Sequence, residues 1–340
     1  MASNAASIAA IPYRNASDSH GEHISCSRRG PKRRAHGNLV ATGLVDWGVP
    51  MTRRYTVVDV FSAEAMRGNP VAVVLDAAGL DTQSMQHIAR WINLSETSFV
   101  LPPGAAGADY RLRIFTPANE LPFAGHPTLG SAHAVVAAGL ASPRSGTLVQ
   151  QCGSGLIPLE LDTDDGGARY RLCLPPARFA AVSSDTTAEL QGAIGAPIDV
   201  MAAPALIDVG PTWLVARLDT AERLLALKPN MHRLAALEAS LGATGTTLFA
   251  ASDGDATDIE VRSFAPSIGV NEDPVCGSGN GSVAAFRRER GLLPAGRVDY
   301  LACQGRCVGR DGRVSVTIEP AGTIWIGGAC VTTAEGILRL

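Results

Sequence analysis

Two side chains stand where proton chemistry has a use for them. Glu96 ends Asn93-Leu94-Ser95-Glu96 and precedes the apolar run Phe99-Val100-Leu101, which signals burial. Burial disfavours a charged carboxylate and lifts its pKa, which suits it to take a proton from carbon and return it elsewhere. A Glu at a sheet edge or helix cap gives the same pattern. His126 lies in Gly125-His126-Pro127-Thr128 at the expected start of a helix. There an imidazole can donate to a carbonyl, relay a proton, or simply cap the helix. Farther along, Asp273 precedes Pro274 and Ser278 opens Gly277-Ser278-Gly279-Asn280-Gly281-Ser282. This Gly-rich stretch is expected to form a loop before a helix around Val283 to Arg287, turning several backbone N–H groups toward one anion. It lacks the lysine of a G-x-x-x-x-G-K-[ST] nucleotide loop. Taken singly, Asp before Pro is an ordinary turn device and Ser an ordinary loop residue.

The elements that must position these residues follow from pattern. Tyr55 to Phe61 and Pro70 to Leu75 read as strands separated by a Gly68-Asn69 turn. Asp81 is the expected N-cap of a helix with Met85, Ile88, Ala89 and Ile92 on one face. Strands around Glu96 to Leu101 and Tyr110 to Phe115 then precede a helix with Pro127 in its first turn. Its inward residues are expected to be Leu129, Ala132, Val135 and Val136, with Gly139 as its stop. The plan repeats: Arg113-Ile114-Phe115-Thr116-Pro117 lies over Arg262-Ser263-Phe264-Ala265-Pro266, and Glu120-Leu121-Pro122-Phe123-Ala124-Gly125 over Glu272-Asp273-Pro274-Val275-Cys276-Gly277. Two matches in order imply two copies of one α+β unit in pseudo-twofold packing. Both helix N-termini then face one cleft, and their free N–H groups favour a carboxylate-bearing substrate.

Composition excludes other classes. The 340 residues are 46% hydrophobic and 18% charged, ample for a large core and about two domains. A net charge of −3 and 5% aromatics give neither a basic field nor stacking platforms for nucleic acid. Arg287-Arg288-Glu289-Arg290 reads as a solvated helix face, and Lys228-Pro229-Asn230-Met231-His232 as a loop. No apolar run spans a bilayer. Seven scattered cysteines without a C-x-x-C pair point to the cytoplasm. His87 and His133 read as surface or supporting groups, and no His/Asp/Glu cluster has metal spacing. Residues 1–50 are low in pattern and expected to be a disordered extension, not an export signal. The abrupt strand pattern after Met51 fits a start codon set too far upstream; a genuine flexible tail gives the same sequence.

Asn93-Leu94-Ser95-Glu96-Thr97, Arg113 to Pro117, Glu120 to Thr128 and Glu272 to Ser278, together with Asp59-Val60-Phe61 and Gly68-Asn69-Pro70, resemble the signatures of the PhzF-like phenazine-biosynthesis isomerases. The resemblance runs from about Tyr55 to Leu340. It implies a diaminopimelate-epimerase-like α+β fold of two similar lobes, each a mixed sheet or barrel around a helix. The lobes are expected at 51–165, with the end of the chain joining it, and 166–340. It also implies a homodimer and a metal-free, cofactor-free proton shift on a small unsaturated carboxylate such as trans-2,3-dihydro-3-hydroxyanthranilate. By position Glu96 becomes the proton shuttle, with His126, Asp273 and Ser278 contacting substrate; Gly125, Gly277, Gly279 and Asn280 are expected to bind its polar groups. Related two-thiol epimerases place one cysteine at Cys276 and another at the matching point of the first lobe, which here is Ala124. Cys276 is therefore expected to be a packing residue, although a helix start would lower its pKa; the other cysteines are expected to be buried fillers. An amino-acid or hydroxy-acid epimerase is the alternative enzyme, and a non-catalytic metabolite-binding protein the alternative outside enzymes.

Overall fold

The computed structural model describes residues 52–164, 167–252, 254 and 256–340. The expected extension at 1–50 lies outside them. The first half runs β1 (Thr52–Val60), β2 (Asn69–Val74), α1 (Thr82–Ile92), β3 (Thr97–Leu101), β4 (Tyr110–Phe115), β5 (Glu120–Leu121), α2 (Gly125–Ala137), β6 (Thr147–Cys152), β7 (Gly155–Asp164) and β8 (Gly167–Cys173). The second runs β9 (Arg178–Ala181), α3 (Ser184–Ile194), β10 (Ala205–Asp208), β11 (Thr212–Arg217), α4 (Ala221–Ala226), α5 (Met231–Leu241), β12 (Gly245–Ala251) and β13 (Ile259–Ala265). It ends with β14 (Val270–Asp273), α6 (Gly277–Glu289), β15 (Val298–Gln304), β16 (Gly312–Ile318) and β17 (Ile324–Arg339).

Pairing closes a ring in the order β1, β2, β3, β4, β6, β7, β8, β17 and back to β1. A second ring runs β9, β10, β11, β12, β13, β15, β16, β17 and β8, which continues along the chain into β9. The expected division between 165 and 166 falls between β7 and β8, which pair with each other. The long β17 serves both barrels: its first residues pair with β16 and β8, its last with β1.

The repeat extends well beyond the two motifs that revealed it. In each half a parallel pair is bridged by helix, β2 with β3 across α1 and β11 with β12 across α4 and α5. A second parallel pair encloses the central helix, β4 with β6 around α2 and β13 with β15 around α6. The extra residues that offset the second motif form a 3₁₀ turn at Pro266–Ile268, ended by Gly269 at φ 88°. Each half also carries the same two-pronged ion pair: Arg113 Nε and Nη2 donate to Glu120 at 2.7 and 2.6 Å, Arg262 Nε and Nη2 to Glu272 at 2.9 and 2.8 Å.

Helix α1 is as expected, with Asp81 Oδ1 accepting from Ser84 N at 2.7 Å and Asn93 ending it in a left-handed conformation. Helix α2 differs. It starts at Gly125 with Pro127 in its first turn, as expected, but it is buried on almost every side rather than along one face, because strands surround it. Each fully buried Leu or Val there contributes about 1.5–3 kcal/mol. Helix α6 differs more: Gly277 to Ser282 form its first turns, not a loop. A Cβ on Gly281 would stand 2.1 Å from Leu174 Cδ1, and one on Gly279 2.6 Å from Ser263 Oγ. Glycine lets the helix lie against the barrel wall, and burial outweighs the roughly 1 kcal/mol per residue that glycine costs a helix.

Three surface expectations are corrected. Met231 and His232 begin α5, with Asn230 Oδ1 accepting from Arg233 N at 3.1 Å, so the stretch expected to be a loop ends in a helix. The arginines after Phe286 are not freely solvated: Arg287 lies 4.3 Å over the Tyr300 ring, and Arg288 donates to Pro294 O and Gly296 O at 2.8 and 2.7 Å. Of the remaining cysteines among the described residues, Cys303 and Cys330 are buried as expected, but Cys152 and Cys173 are half-buried and Cys307 is exposed. No described helix is long and apolar enough to cross a membrane.

Candidate active site

The two central helices bring their N-termini together. Glu96 lies just before β3, where Thr97 is paired with both Ala72 and Phe115 and cannot slip in register. Its Oε2 is 3.3 Å from His126 Nδ1, in the first turn of α2, and accepts no aligned hydrogen bond among the described residues. The other ring nitrogen, Nε2, is 3.4 Å from Pro70 O. Carboxylate and carbonyl are both acceptors, so the doubly protonated imidazolium matches both partners. Burial pulls His126 toward the neutral form, but Glu96, Asp273 and the Pro70 carbonyl outweigh it and hold the pKa above its ordinary value.

Asp273 arrives from the other half of the chain. Its Oδ1 accepts from Asn69 Nδ2 at 3.0 Å and from Val275 N at 3.1 Å. Burial pushes its pKa up; His126 pulls it down, Glu96 adds to the rise, and it reaches about 6. Glu96, His126 and Asp273 thus form one charge-coupled group fed by both barrels. Ser278, in the first turn of α6, accepts from Trp213 Nε1 at 3.1 Å and lies 3.6 Å from Cys276 Sγ.

The expected ring of backbone donors is smaller than its sequence suggests. Gly279 N donates to Cys276 Sγ at 3.3 Å and Asn280 N to Cys276 O, which leaves the N–H groups of Gly277 and Ser278 at the mouth of α6. Asn280, expected to touch substrate, is fully buried, and its amide donates to Cys276 O and Gln304 Oε1 at 2.9 and 2.8 Å. It braces the turn. At α2 the N-cap Ala124 supplies no side-chain acceptor, so the first-turn N–H groups of Gly125 and His126 stay open. A Cβ on Gly125 would meet only Leu172 Cδ2, at 3.9 Å, so there is open space beside His126.

Cys276 reverses an expectation. At a helix start its pKa should fall, but burial, with Asp273 adding to it, pushes the thiol well above its ordinary value. Its sulfur caps α6, and Ala124 at the matching point of α2 has no thiol. His133 is away from this group, with Nε2 3.0 Å from Thr332 Oγ1. No group of three His, Cys, Asp or Glu side chains among the described residues is arranged to hold a metal ion.

Three residues that hold the site have no role in the sequence reading. Asn69 joins the halves by donating to Asp273 Oδ1 and to Val275 O, each at 3.0 Å. Gln304 accepts from Cys276 N at 3.1 Å and donates to Asp273 O at 3.0 Å. Trp213 holds Ser278. Asn69 stands inside a recognised motif but reads there as a turn residue; Gln304 and Trp213 lie in strands whose spacing carries no signal of a site.

Residues 58–336 match the family model described as phenazine biosynthesis-like protein. A Schizosaccharomyces pombe protein named antisense-enhancing sequence 1 is 39% identical, over 82% of this chain and 96% of its own length. The trans-2,3-dihydro-3-hydroxyanthranilate isomerase of Pseudomonas aeruginosa is 34% identical, over 83% of this chain and 98% of its own. Among solved structures, a PhzF-family protein of Bacillus anthracis superposes with TM-score 0.78 at 24% identity, over 85% of this chain and all of the other. A hydroxyproline epimerase of Agrobacterium vitis shares the fold at TM-score 0.61 and 14% identity, over 86% of this chain and 94% of the other.

Proposed function

The chain belongs to the phenazine biosynthesis-like family and is an isomerase with an epimerase-like α+β fold; from that premise we propose that it shifts one proton across a small unsaturated cyclic carboxylate with Glu96 as the single base and acid. The reading includes no metal or organic cofactor, a homodimer and a cytoplasmic setting. The observation that carries it is the convergence of Glu96, His126 and Asp273 at the open ends of two helices.

Glu96 Oε2, free of aligned donors, takes a proton from a ring carbon. The C–H electron pair moves into the conjugated system, and the new carboxylic acid returns the proton to a distal carbon on the same face. The His126 imidazolium stabilises the negative charge that builds up in between. Asp273, with a pKa of about 6, exchanges a proton with substrate heteroatoms near neutral pH. Ser278 and the open N–H groups of Gly277 and Gly125 hold the substrate carboxylate against the positive helix ends. Two-thiol stereoinversion is disfavoured because Cys276 keeps its proton and faces Ala124 in the repeat, not a second thiol.

The substrate to test is trans-2,3-dihydro-3-hydroxyanthranilate, on which the Pseudomonas aeruginosa relative is named as acting. Proton NMR in D₂O, with the wild type and Glu96→Gln in parallel, reads both conversion and the site of deuterium entry. Conversion by the wild type alone supports the shuttle. Conversion by both variants removes Glu96 from the role, and conversion by neither moves the search to other cyclic carboxylates.

A further inference from the structure

The repeat shows what occupies the place opposite Glu96. Phe115 and Phe264 are matched residues, and they pair across the sheet with Thr97 and Thr246 respectively. The residue before each threonine is therefore matched too: Glu96 in one half, Gly245 in the other. A Cβ on Gly245 would stand 2.3 Å from Phe264 O and 2.6 Å from Trp213 Cζ3. The second half cannot hold a carboxylate there, because the indole of Trp213, itself 3% exposed, fills the space. The same match sets His126 against Ser278. Where the first half presents a carboxylate beside an imidazole, the second presents an indole beside a hydroxyl, with Trp213 Nε1 3.1 Å from Ser278 Oγ.

We infer that Trp213 is a positioning residue that makes Ser278 a hydrogen-bond donor to the substrate, so that the second half of the site selects an acceptor oxygen, carboxylate or carbonyl. An indole N–H only donates, so it takes a lone pair of Ser278 Oγ and turns the hydroxyl hydrogen elsewhere. Among the described residues the other polar neighbour of Oγ is Cys276 Sγ at 3.6 Å, where either atom can donate; sulfur is a weak hydrogen-bond partner that a substrate oxygen displaces. An amine or hydroxyl hydrogen of the substrate is left to the Asp273 carboxylate, which ends the strand before α6. This inference rests on the proposed isomerase reading for the identity of the substrate, but the contact behind it does not.

The test is a double-mutant cycle of Trp213→Phe and Ser278→Ala, with the indole N–H resonances of ¹⁵N-tryptophan-labelled protein followed alongside. Loss of one hydrogen bond to the substrate predicts that each single variant lowers kcat/KM about tenfold, and the double variant no further. Ser278→Ala leaves the buried indole untouched and should move one indole N–H resonance upfield; adding anthranilate to the wild type should move that resonance as well. A cycle on anthranilate affinity needs no turnover, so the inference can fail or stand independently of the isomerase reading. Additive losses, or an indole resonance indifferent to both Ser278→Ala and anthranilate, would overturn it.

Discussion

Asp273→Asn should make this protein more stable and less active, and the gain in stability should depend on pH. In the folded chain burial lifts the Asp273 carboxyl from 3.8 to about 6. Below pH 3.8 the group is protonated in both states and costs nothing. Between 3.8 and about 6 the unfolded chain releases its proton while the folded chain retains it, so ionisation favours unfolding, and above about 6 the cost is complete. The difference amounts to up to about 3 kcal/mol. The pull of the His126 imidazolium is already contained in it. An asparagine carbonyl can still accept from Asn69 Nδ2 and Val275 N, so the geometry that holds the loop survives. Urea unfolding at about pH 4 should therefore hardly separate variant from wild type, while at about pH 7.5 the variant should gain up to about 3 kcal/mol. Its rate of proton transfer should fall by about a hundredfold. Equal stability differences at the two pH values would refute the claim that Asp273 is held against its own ionisation.

The twin ion pairs offer a second check: Glu272→Ala leaves the Arg262 guanidinium, 6% exposed, without its carboxylate and should cost about 3–5 kcal/mol in urea melts. Glu120→Ala, whose carboxylate is 37% exposed, should cost about 1 kcal/mol or less; similar costs would contradict the burial argument. Because its thiol is buried and holds its proton, Cys276 should resist iodoacetamide while exposed Cys307 is labelled, and Cys276→Ser, which keeps a cap for Gly279 N, should retain the wild-type conversion rate. Mass spectrometry of the labelled peptides and the NMR conversion assay decide both points.

Much of the fold is legible along the chain because it is encoded locally. Asp81 caps the helix it precedes, Gly139 stops the one it follows at φ 66°, and the Arg-x-Phe motifs mark strands that do take the same place in each half. Local encoding fails where an element is enclosed. Patterns of apolar residues on one face assume a solvent face, and α2 has almost none; three glycines in six residues read as loop, and α6 keeps them as helix because the barrel wall leaves no room for side chains.

The site divides in the same way. Glu96, His126, Asp273 and Ser278 are visible in the sequence because each sits in a short motif of distinctive residues. What holds them is not visible: Asn69 meets Asp273 across 204 residues, Gln304 reaches Asp273 O across 31, and Trp213 meets Ser278 across 65. Asparagine, glutamine and tryptophan in strands are ordinary, and only closure of the two barrels gives them these partners. By itself the sequence determined the family, the duplicated plan and the identities of the reactive groups, since those reside in residue types and short spacings. The tertiary structure alone decided their ionisation, because the pKa values of His126, Asp273 and Cys276 depend on burial and on charges brought from distant segments. It also decided which donors remain open to a substrate.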